Sequence, residues 1–491
     1  MSALPKSFAA AGLASNVPTD LLIGGQWRPA AGGERIEVLD PSTGEVIVSV
    51  ADATVEDGLE AVAAASAALP GWAATPPRRR AEILRKCFEL MTARADFFAR
   101  LISLENGKAL PDARAEVAYA AEFFRWFAEE AVRVIGELSV APGGANRILV
   151  EHQPIGVSVL VTPWNFPAAM ATRKLGPALA AGCTTVLKPA SETPLTAFAM
   201  AALMEEAGVP PGVVNVVTST RSAPVVNAML HDPRVRKLSF TGSTQVGRIL
   251  LKEAADQVLS CSMELGGNAP FVVFDDADLD KALDGAMIAK MRNGGEACTA
   301  ANRFLVQRGI AEAFSAGLAR RMAALSMGAG YAETTQVGPL VNRAALERIA
   351  GWVDEARAGG ARVLTGGTPD PRPGFYYPPT VVTDVPAGAR LLVDEIFGPV
   401  APISIFDSVD EAVGMANASE YGLIAYVYTE DLRKGLQVSE RLEAGMVGIN
   451  RGIVSDPAAP FGGVKQSGLG REGAHLGIME FLETKYIAAA W

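Results

Sequence analysis

Cysteine and histidine are scarce in this chain. Its 491 residues include four cysteines, Cys87, Cys183, Cys261 and Cys298, and three histidines, His152, His231 and His475. No cysteines form a Cys-x-x-Cys pair, and the histidines lie far apart. Nothing in that spacing supports a disulfide framework or a zinc site, so no metal is expected and a reducing, cytoplasmic setting fits best. Chemistry that depends on a histidine cluster is disfavoured for the same reason. Basic charge is also short: 44 Lys+Arg stand against 54 Asp+Glu, a net charge of −10. That balance argues against a nucleic-acid partner, although a few local arginines can still hold a small anion. No uncharged apolar stretch reaches the ~18 residues of a membrane span, so no membrane partner is expected. Residues 1–20 are rich in Ala and Ser with a single lysine. They match neither a signal peptide nor an Arg-rich transit peptide, and read as a loose leader. There is no short-period repeat and no low-complexity tract, and the strand–helix junctions of residues 156–263 carry no Gly-x-Gly-x-x-Gly fingerprint.

What is present is ordinary globular material, 49% hydrophobic and 20% charged. A chain of this length exceeds one core, so two or three domains are expected. Residues 21–27 and 36–50 read as strands, the latter broken by a turn at Pro41-Ser42-Thr43-Gly44. Thr54 opens a helix to about residue 69, with Asp57 completing a capping box. Pro77 starts a second helix, and Asn106-Gly107 ends a third. Residues 112–134 form an amphipathic helix in which Phe123, Phe124, Trp126 and Phe127 read as packing. Residues 139–151, centred on Pro142-Gly143-Gly144, read as a hairpin standing apart. From Gly156 apolar runs at 157–161, 185–187, 213–217 and 237–240 alternate with Ala-rich helical segments. A second such set runs from about residue 271 past 449. Strand–helix–strand alternation is the mark of parallel sheets wrapped by helices, so two α/β domains are expected.

Residues 288–303 hold the main chemical signal. A helix ends at Asn293-Gly294-Gly295, and Cys298 follows in a polar, glycine-rich loop. Glycines let the backbone turn tightly and approach a ligand. A thiol near the start of a next helical run has its pKa lowered by the helix N-terminus. Polar loops also stand where strands of the first α/β region end, the place where such sheets bind ligands. These are Pro163-Trp164-Asn165-Phe166-Pro167, Lys188-Pro189-Ala190-Ser191 and Phe240-Thr241-Gly242-Ser243. The last leads from strand to helix and aims backbone N–H groups at an anion, which suits a pyrophosphate. Glu264, in Glu264-Leu265-Gly266-Gly267-Asn268, is a carboxylate inside an apolar run.

These motifs, with Glu395-Ile396-Phe397-Gly398-Pro399 and Pro460-Phe461-Gly462-Gly463, follow the order found in the NAD(P)-dependent aldehyde dehydrogenase superfamily, which the chain resembles from about residue 21 to 487. The resemblance implies an α/β, aldehyde dehydrogenase-like fold. It would comprise a Rossmann-type cofactor domain (1–135 and 154–263), an α/β catalytic domain (264–470) and a small β oligomerisation element (136–153 and 478–491), assembled as a homodimer or homotetramer. It implies that Cys298 attacks an aldehyde, that Asn165 and the Cys298 backbone N–H hold the oxyanion, and that Glu264 activates the water that releases the acid. Around the cofactor it places Thr162, Pro163, Trp164, Lys188 and Ser191, together with Gly242, Ser243, Leu265, Glu395 and Phe397. Glu264 counts against the CoA-acylating branch.

Within the superfamily, Arg173, Arg292 and Ser455 match the positions with which succinate-semialdehyde dehydrogenases hold the distal carboxylate of the substrate. Residues 465–473 also look like that branch. The implied reaction is oxidation of succinate semialdehyde, with glutarate semialdehyde or a neutral aldehyde as alternatives. A catalytically silent, crystallin-like protein is a reading from another class, disfavoured by the joint presence of Cys298, Glu264 and Asn165. Three positions depart from the pattern. Glu296 stands where Gln is commoner, which raises the question of an added charge near the thiol. Ala300 replaces a second cysteine found in some members. Ser191 replaces a Glu common in NAD-preferring members, so NADP is the expected cofactor, with NAD also used.

Overall fold

The structure is a computed structural model that describes residues 12–490. Residues 1–11 of the expected leader lie outside the described residues. The rest of it is not loose. Ala14 and Val17 are buried, Thr19 accepts a backbone hydrogen bond from Ala51, and Asp20 pairs with Arg35 at 3.0 Å. The expected strand at 21–27 is two short strands, Leu21–Ile23 and Gln26–Arg28, paired antiparallel across Gly24-Gly25. Strands Arg35–Leu39 and Val46–Ala51 form a separate antiparallel pair.

Four helices follow, Val55–Ala73, Pro77–Ala93, Ala95–Asn106 and Leu110–Glu130. Thr54 and Asp57 cap the first reciprocally, a motif that contributes about 1 kcal/mol. Gly107 ends the third in the left-handed conformation. Phe123, Phe124 and Phe127 of the fourth are buried and face the helix Pro167–Ala181, every residue of which is buried.

The first sheet has eight strands. Its parallel centre runs in the order Ser260–Glu264, Val235–Thr241, Val157–Val161, Thr184–Lys188, Val214–Val216. These strands are largely buried, although Ser260–Glu264, Val235–Thr241 and Thr184–Lys188 carry several polar residues. Chain order reverses between Val157–Val161 and Val235–Thr241, which opens a crevice beyond their carboxyl ends. The short strand Gly468–Leu469, from the segment expected to be catalytic, adds antiparallel to Ser260–Glu264. The second sheet has seven strands around Ala269–Val273, Ala301–Gln307 and Ile424–Tyr428. A three-stranded sheet joins Glu137–Val140, Arg147–Pro154 and the C-terminal Leu482–Ala489, whose eight residues all pair with Arg147–Pro154. Among the described residues no helix is long and apolar enough to cross a membrane.

Candidate active site

Strand register decides which loops meet. Val161 pairs with Lys188 on one side and Phe240 on the other, and Thr241 pairs with Glu264. Segments 162–167, 189–193, 242–244 and 265–268 therefore leave the first sheet side by side. In the second sheet Ala269 pairs with Ala301, so the segments just before them, carrying Gly266-Gly267 and Cys298, also run side by side. A Cβ at Gly267 would sit 2.7 Å from the Cys298 carbonyl, an approach only glycine allows.

Cys298 lies between the 3-10 turn Arg292–Gly295 and the strand Ala301–Gln307. The loop is shaped by three left-handed residues, Asn293, Gly294 and Gly295, with φ of 54°, 59° and 80°. The helix expected after the thiol is absent; a β-strand follows, whose net dipole is small. The expected lowering of the thiol pKa is therefore corrected. Burial pushes the Cys298 thiol up to about 12, with Arg173 and Arg292 opposing it. Asn165 donates from Nδ2 to the Glu296 carbonyl at 3.0 Å. Asn293 donates from its own Nδ2 to that same carbonyl at 3.0 Å and to the Asn165 carbonyl at 2.9 Å. The loops that carry Asn165 and Cys298 are thus tied together, and the Asn165 amide keeps a second N–H. Glu296 is buried and accepts from the Val341 N–H at 3.2 Å. Burial pushes it up to about 8, against that hydrogen bond and the charges of Lys108 and Arg348. At pH 7 it is mainly a neutral acid, which answers the question its departure from Gln raised.

Glu264 ends its strand fully enclosed, with Oε2 buried and unpartnered. Burial, then the charge of Glu472, push its pKa well above the carboxylate range. Glu472 is held by Lys174 and Arg173, each at 2.6 Å. Burial alone would raise Glu472, but those two cations outweigh it and hold it low. Arg173, on the helix begun by Pro167, is therefore already ion-paired; its Nη2 is buried without a partner and its guanidinium lies 4.0 Å above the Phe461 ring. Arg292, half-buried, lies 4.9 Å over the Phe166 ring and has no carboxylate within ion-pair distance among the described residues. Ser455 is half-buried in the loop before Phe461, and no hydrogen bond among the described residues joins it to either arginine. Sequence reasoning missed Glu472, Lys174, Asn293 and Phe461 as parts of this site. Phe461 sits in a quoted motif, but nothing local marks Glu472, which lies 298 residues from Lys174.

The crevice at the switch point is polar. Lys188 is 6% exposed with no carboxylate in ion-pair range among the described residues; burial pulls it down to about 8 against Glu192 and Asp52. The Thr241 hydroxyl is buried and unpartnered. Ser243 caps the helix Thr244–Ala255, accepting from the Val246 N–H at 3.3 Å, and the Gly242 N–H donates to the Glu264 carbonyl. Thr162 donates its N–H to the Lys188 carbonyl, and half-buried Pro163 follows. Leu265 is buried and donates its N–H to the Ser467 carbonyl. Trp164 and Phe397 meet edge-on at 5.4 Å. Glu395 accepts from the Gly267 N–H at 3.0 Å, and burial pushes it up to about 7. Ser191 donates to Glu192 at 3.2 Å. A buried ammonium and a hydroxyl without protein partners, beside a helix N-terminus, fit the ribose hydroxyls and pyrophosphate of a dinucleotide.

Comparison with known proteins agrees with this arrangement. Residues 27–487 match the model of the aldehyde dehydrogenase family. The chain is 57% identical to a succinate-semialdehyde dehydrogenase of Paenarthrobacter nicotinovorans, over 91% of this chain and 99% of that one. It is 48% identical to a glutarate-semialdehyde dehydrogenase of Pseudomonas aeruginosa, over 95% and 96%. A crystal structure of an NADP-dependent enzyme of E. coli superposes with a TM-score of 0.95 at 47% identity, covering 97% of this chain and 98% of that one. With a half-buried thiol, a buried carboxylate and a switch-point crevice brought together by two α/β sheets, the chain belongs to the aldehyde dehydrogenase family.

Proposed function

We propose that this enzyme oxidises succinate semialdehyde to succinate, with NADP preferred and NAD also used. The observation that carries the reading is Arg292, a half-buried cation without a carboxylate partner among the described residues, on the turn that leads to Cys298. It is joined by the unpartnered Nη2 of buried Arg173. Each charge-assisted hydrogen bond to a substrate carboxylate is worth ~1.5–3 kcal/mol, so two arginines select for an ω-carboxy aldehyde. The P. nicotinovorans relative bears the name of that activity. The P. aeruginosa relative supports glutarate semialdehyde, one methylene longer, as a second reading.

In this reading the Cys298 thiol first gives up its proton to a solvent base, its sulfur then attacks the aldehyde carbon as thiolate, and the free Asn165 N–H with the Cys298 N–H holds the resulting oxyanion. Such donors are worth ~3 kcal/mol each. When bound, the cofactor supplies the hydride acceptor that turns the hemithioacetal into a thioester. Glu264 as carboxylate then takes a proton from water as that water attacks the thioester carbon, and the Cys298 thiolate leaves. Its raised pKa makes it a stronger base than an exposed glutamate. Lys188 and Glu395 would hold the ribose hydroxyls, Ser243 the pyrophosphate, and Trp164 and Phe397 the walls of the crevice. Ser191 is short and neutral where a carboxylate would repel a 2′-phosphate, which favours NADP.

The finer organisation is proposed on the same footing. Residues 1–135 with 154–263 form the cofactor domain, 264–470 the catalytic domain, and 136–153 with 478–491 the oligomerisation element of a cytoplasmic homodimer or homotetramer. Exposed apolar residues on that element, among them Leu138, Val140 and Tyr486, support an assembly surface. The test of function is kcat/KM over two- to six-carbon aldehydes with and without a terminal carboxylate, using NADP and NAD. Succinate semialdehyde should exceed butyraldehyde by ~100-fold or more. Butyraldehyde within about tenfold, or NAD tenfold better than NADP, would sink the substrate or the cofactor assignment respectively.

A further inference from the structure

Against the backbone of residues 165–169 lies a charged cluster for which the chemistry above has no use. The Lys108 side chain is wholly buried, as is that of Glu116. Its ammonium lies 2.5 Å from Glu116 Oε2, donates to the Asn165 carbonyl at 2.6 Å, and sits 4.1 Å above the Phe166 ring. Glu116 uses its other oxygen, Oε1, to accept the N–H groups of Ala168 at 2.9 Å and Ala169 at 3.2 Å, capping the helix Pro167–Ala181 from a different helix. Asp112, four residues before Glu116 on the same helix face, accepts the Asn293 N–H at 3.0 Å. Asn293 in turn donates to the carbonyls of Asn165 and Glu296.

We propose that Lys108 is a positioning residue for the oxyanion site, locking the backbone that carries the Asn165 amide and, through Asn293, the loop that carries Cys298. Two features separate this from generic packing. A buried lysine–glutamate pair is costly to assemble and is commonly no more stabilising than an apolar pair of the same volume, so stability alone does not account for it. Apart from the bond between them, the side-chain hydrogen bonds of the pair among the described residues all end on residues 165–169, the segment that presents the amide. Lys108 touches neither substrate nor reacting atoms, so its effect must pass through Asn165. The inference rests on the reading of Asn165 as an oxyanion donor.

A double-mutant cycle tests it. Lys108→Met, Asn165→Ala and the double variant are compared by the single-turnover burst of reduced cofactor, with KM for the aldehyde, NADP affinity by tryptophan quenching and thermal melting alongside. Displacing a catalytic group by about 1 Å costs up to ~100-fold, so Lys108→Met should slow the burst ~10- to 100-fold with KM and NADP affinity within about twofold. In the Asn165→Ala background the same change should cost less than about threefold, because the group it positions is gone. Lys108→Arg, which can make both bonds, should recover part of the rate. Lys108→Met with Glu116→Gln removes the stranded carboxylate and keeps the cycle readable if the single variant folds poorly. An equal proportional loss in both backgrounds overturns the inference alone. If Asn165→Ala costs nothing, the oxyanion reading and the inference fall together.

Discussion

Arg173 has two claims on its guanidinium, and they separate it from Arg292. It balances Glu472 at 2.6 Å and its charge opposes the rise in the Glu264 pKa that burial and Glu472 cause, whereas Arg292 has no carboxylate partner among the described residues. Arg292→Ala should therefore cut kcat/KM for succinate semialdehyde ~10- to 100-fold and leave butyraldehyde within about twofold. Arg173→Ala should lower both substrates and the melting temperature. Removing one partner of a buried ion pair costs ~3–5 kcal/mol, partly relieved here because Lys174 stays on Glu472. Kinetics on both aldehydes with a melting curve decide the matter, and an Arg173→Ala enzyme with unchanged butyraldehyde turnover contradicts the coupling. Glu296 makes a second residue-scale prediction. Its folded pKa is raised from 4.5 to about 8, so the folded state holds more protons than the unfolded one across that window. Its contribution is fully present below about pH 4.5, is lost as pH rises toward 8, and is level above. Glu296→Gln removes the loss, so wild type and variant should differ little at pH 5 and by ~2 kcal/mol or more at pH 8, at about 1.4 kcal/mol per unit. Parallel stability curves for the two proteins in denaturant titrations would refute a buried neutral acid at this position.

At the scale of elements, the hairpin and the C-terminal strand stand out because their apolar residues point to solvent. All four residues of Glu137–Val140 are exposed, with Leu138 at 67% and Ile135 just before it at 77%. An exposed, apolar edge strand invites pairing with another chain. Leu138→Lys should keep the melting temperature nearly unchanged, since surface substitutions fall within about ±0.5 kcal/mol in the monomer, while shifting the assembly to smaller species. Light scattering coupled to size-exclusion chromatography reads the mass directly. A monomeric wild type would remove the oligomerisation element from the proposal. The parallel strands show the opposite pattern. Val157–Val161, Thr184–Lys188 and Ala269–Val273 are buried nearly throughout, so their mainly β-branched and apolar residues mark them in the sequence. The pair at 21–28 was harder, because Gly24-Gly25 turns back within a run that looks continuous.

At the scale of the whole molecule, the site is assembled from segments as far apart as Lys108 and Glu472, brought together where the two sheets adjoin. Local pattern is enough to find elements whose cause is local: the Thr54–Asp57 cap, the stop at Gly107, the Pro167 helix start and the alternation of strands and helices. Motif order is enough to point to Cys298, Asn165, Glu264 and the arginines, because each lies in or beside a segment at a strand or helix end: Asn165 and Cys298 on loops, Glu264 closing a strand, Arg292 on the turn before Cys298 and Arg173 on the helix begun by Pro167.

What the sequence by itself determined is thus the α/β architecture and the family, together with a list of candidate side chains for the chemistry. Tertiary structure alone decided their electrical state and their partners. A strand follows Cys298 where a helix was expected, so no helix N-terminus lowers the thiol, and burial raises it. Glu296 keeps the charge pattern of a glutamine because burial protonates it, Arg173 is committed to a glutamate 299 positions along the chain, and residues 12–20 pack down. The reason is physical: a pKa and an ion pair depend on solvent exclusion and on neighbours across space, and neither quantity is local in sequence.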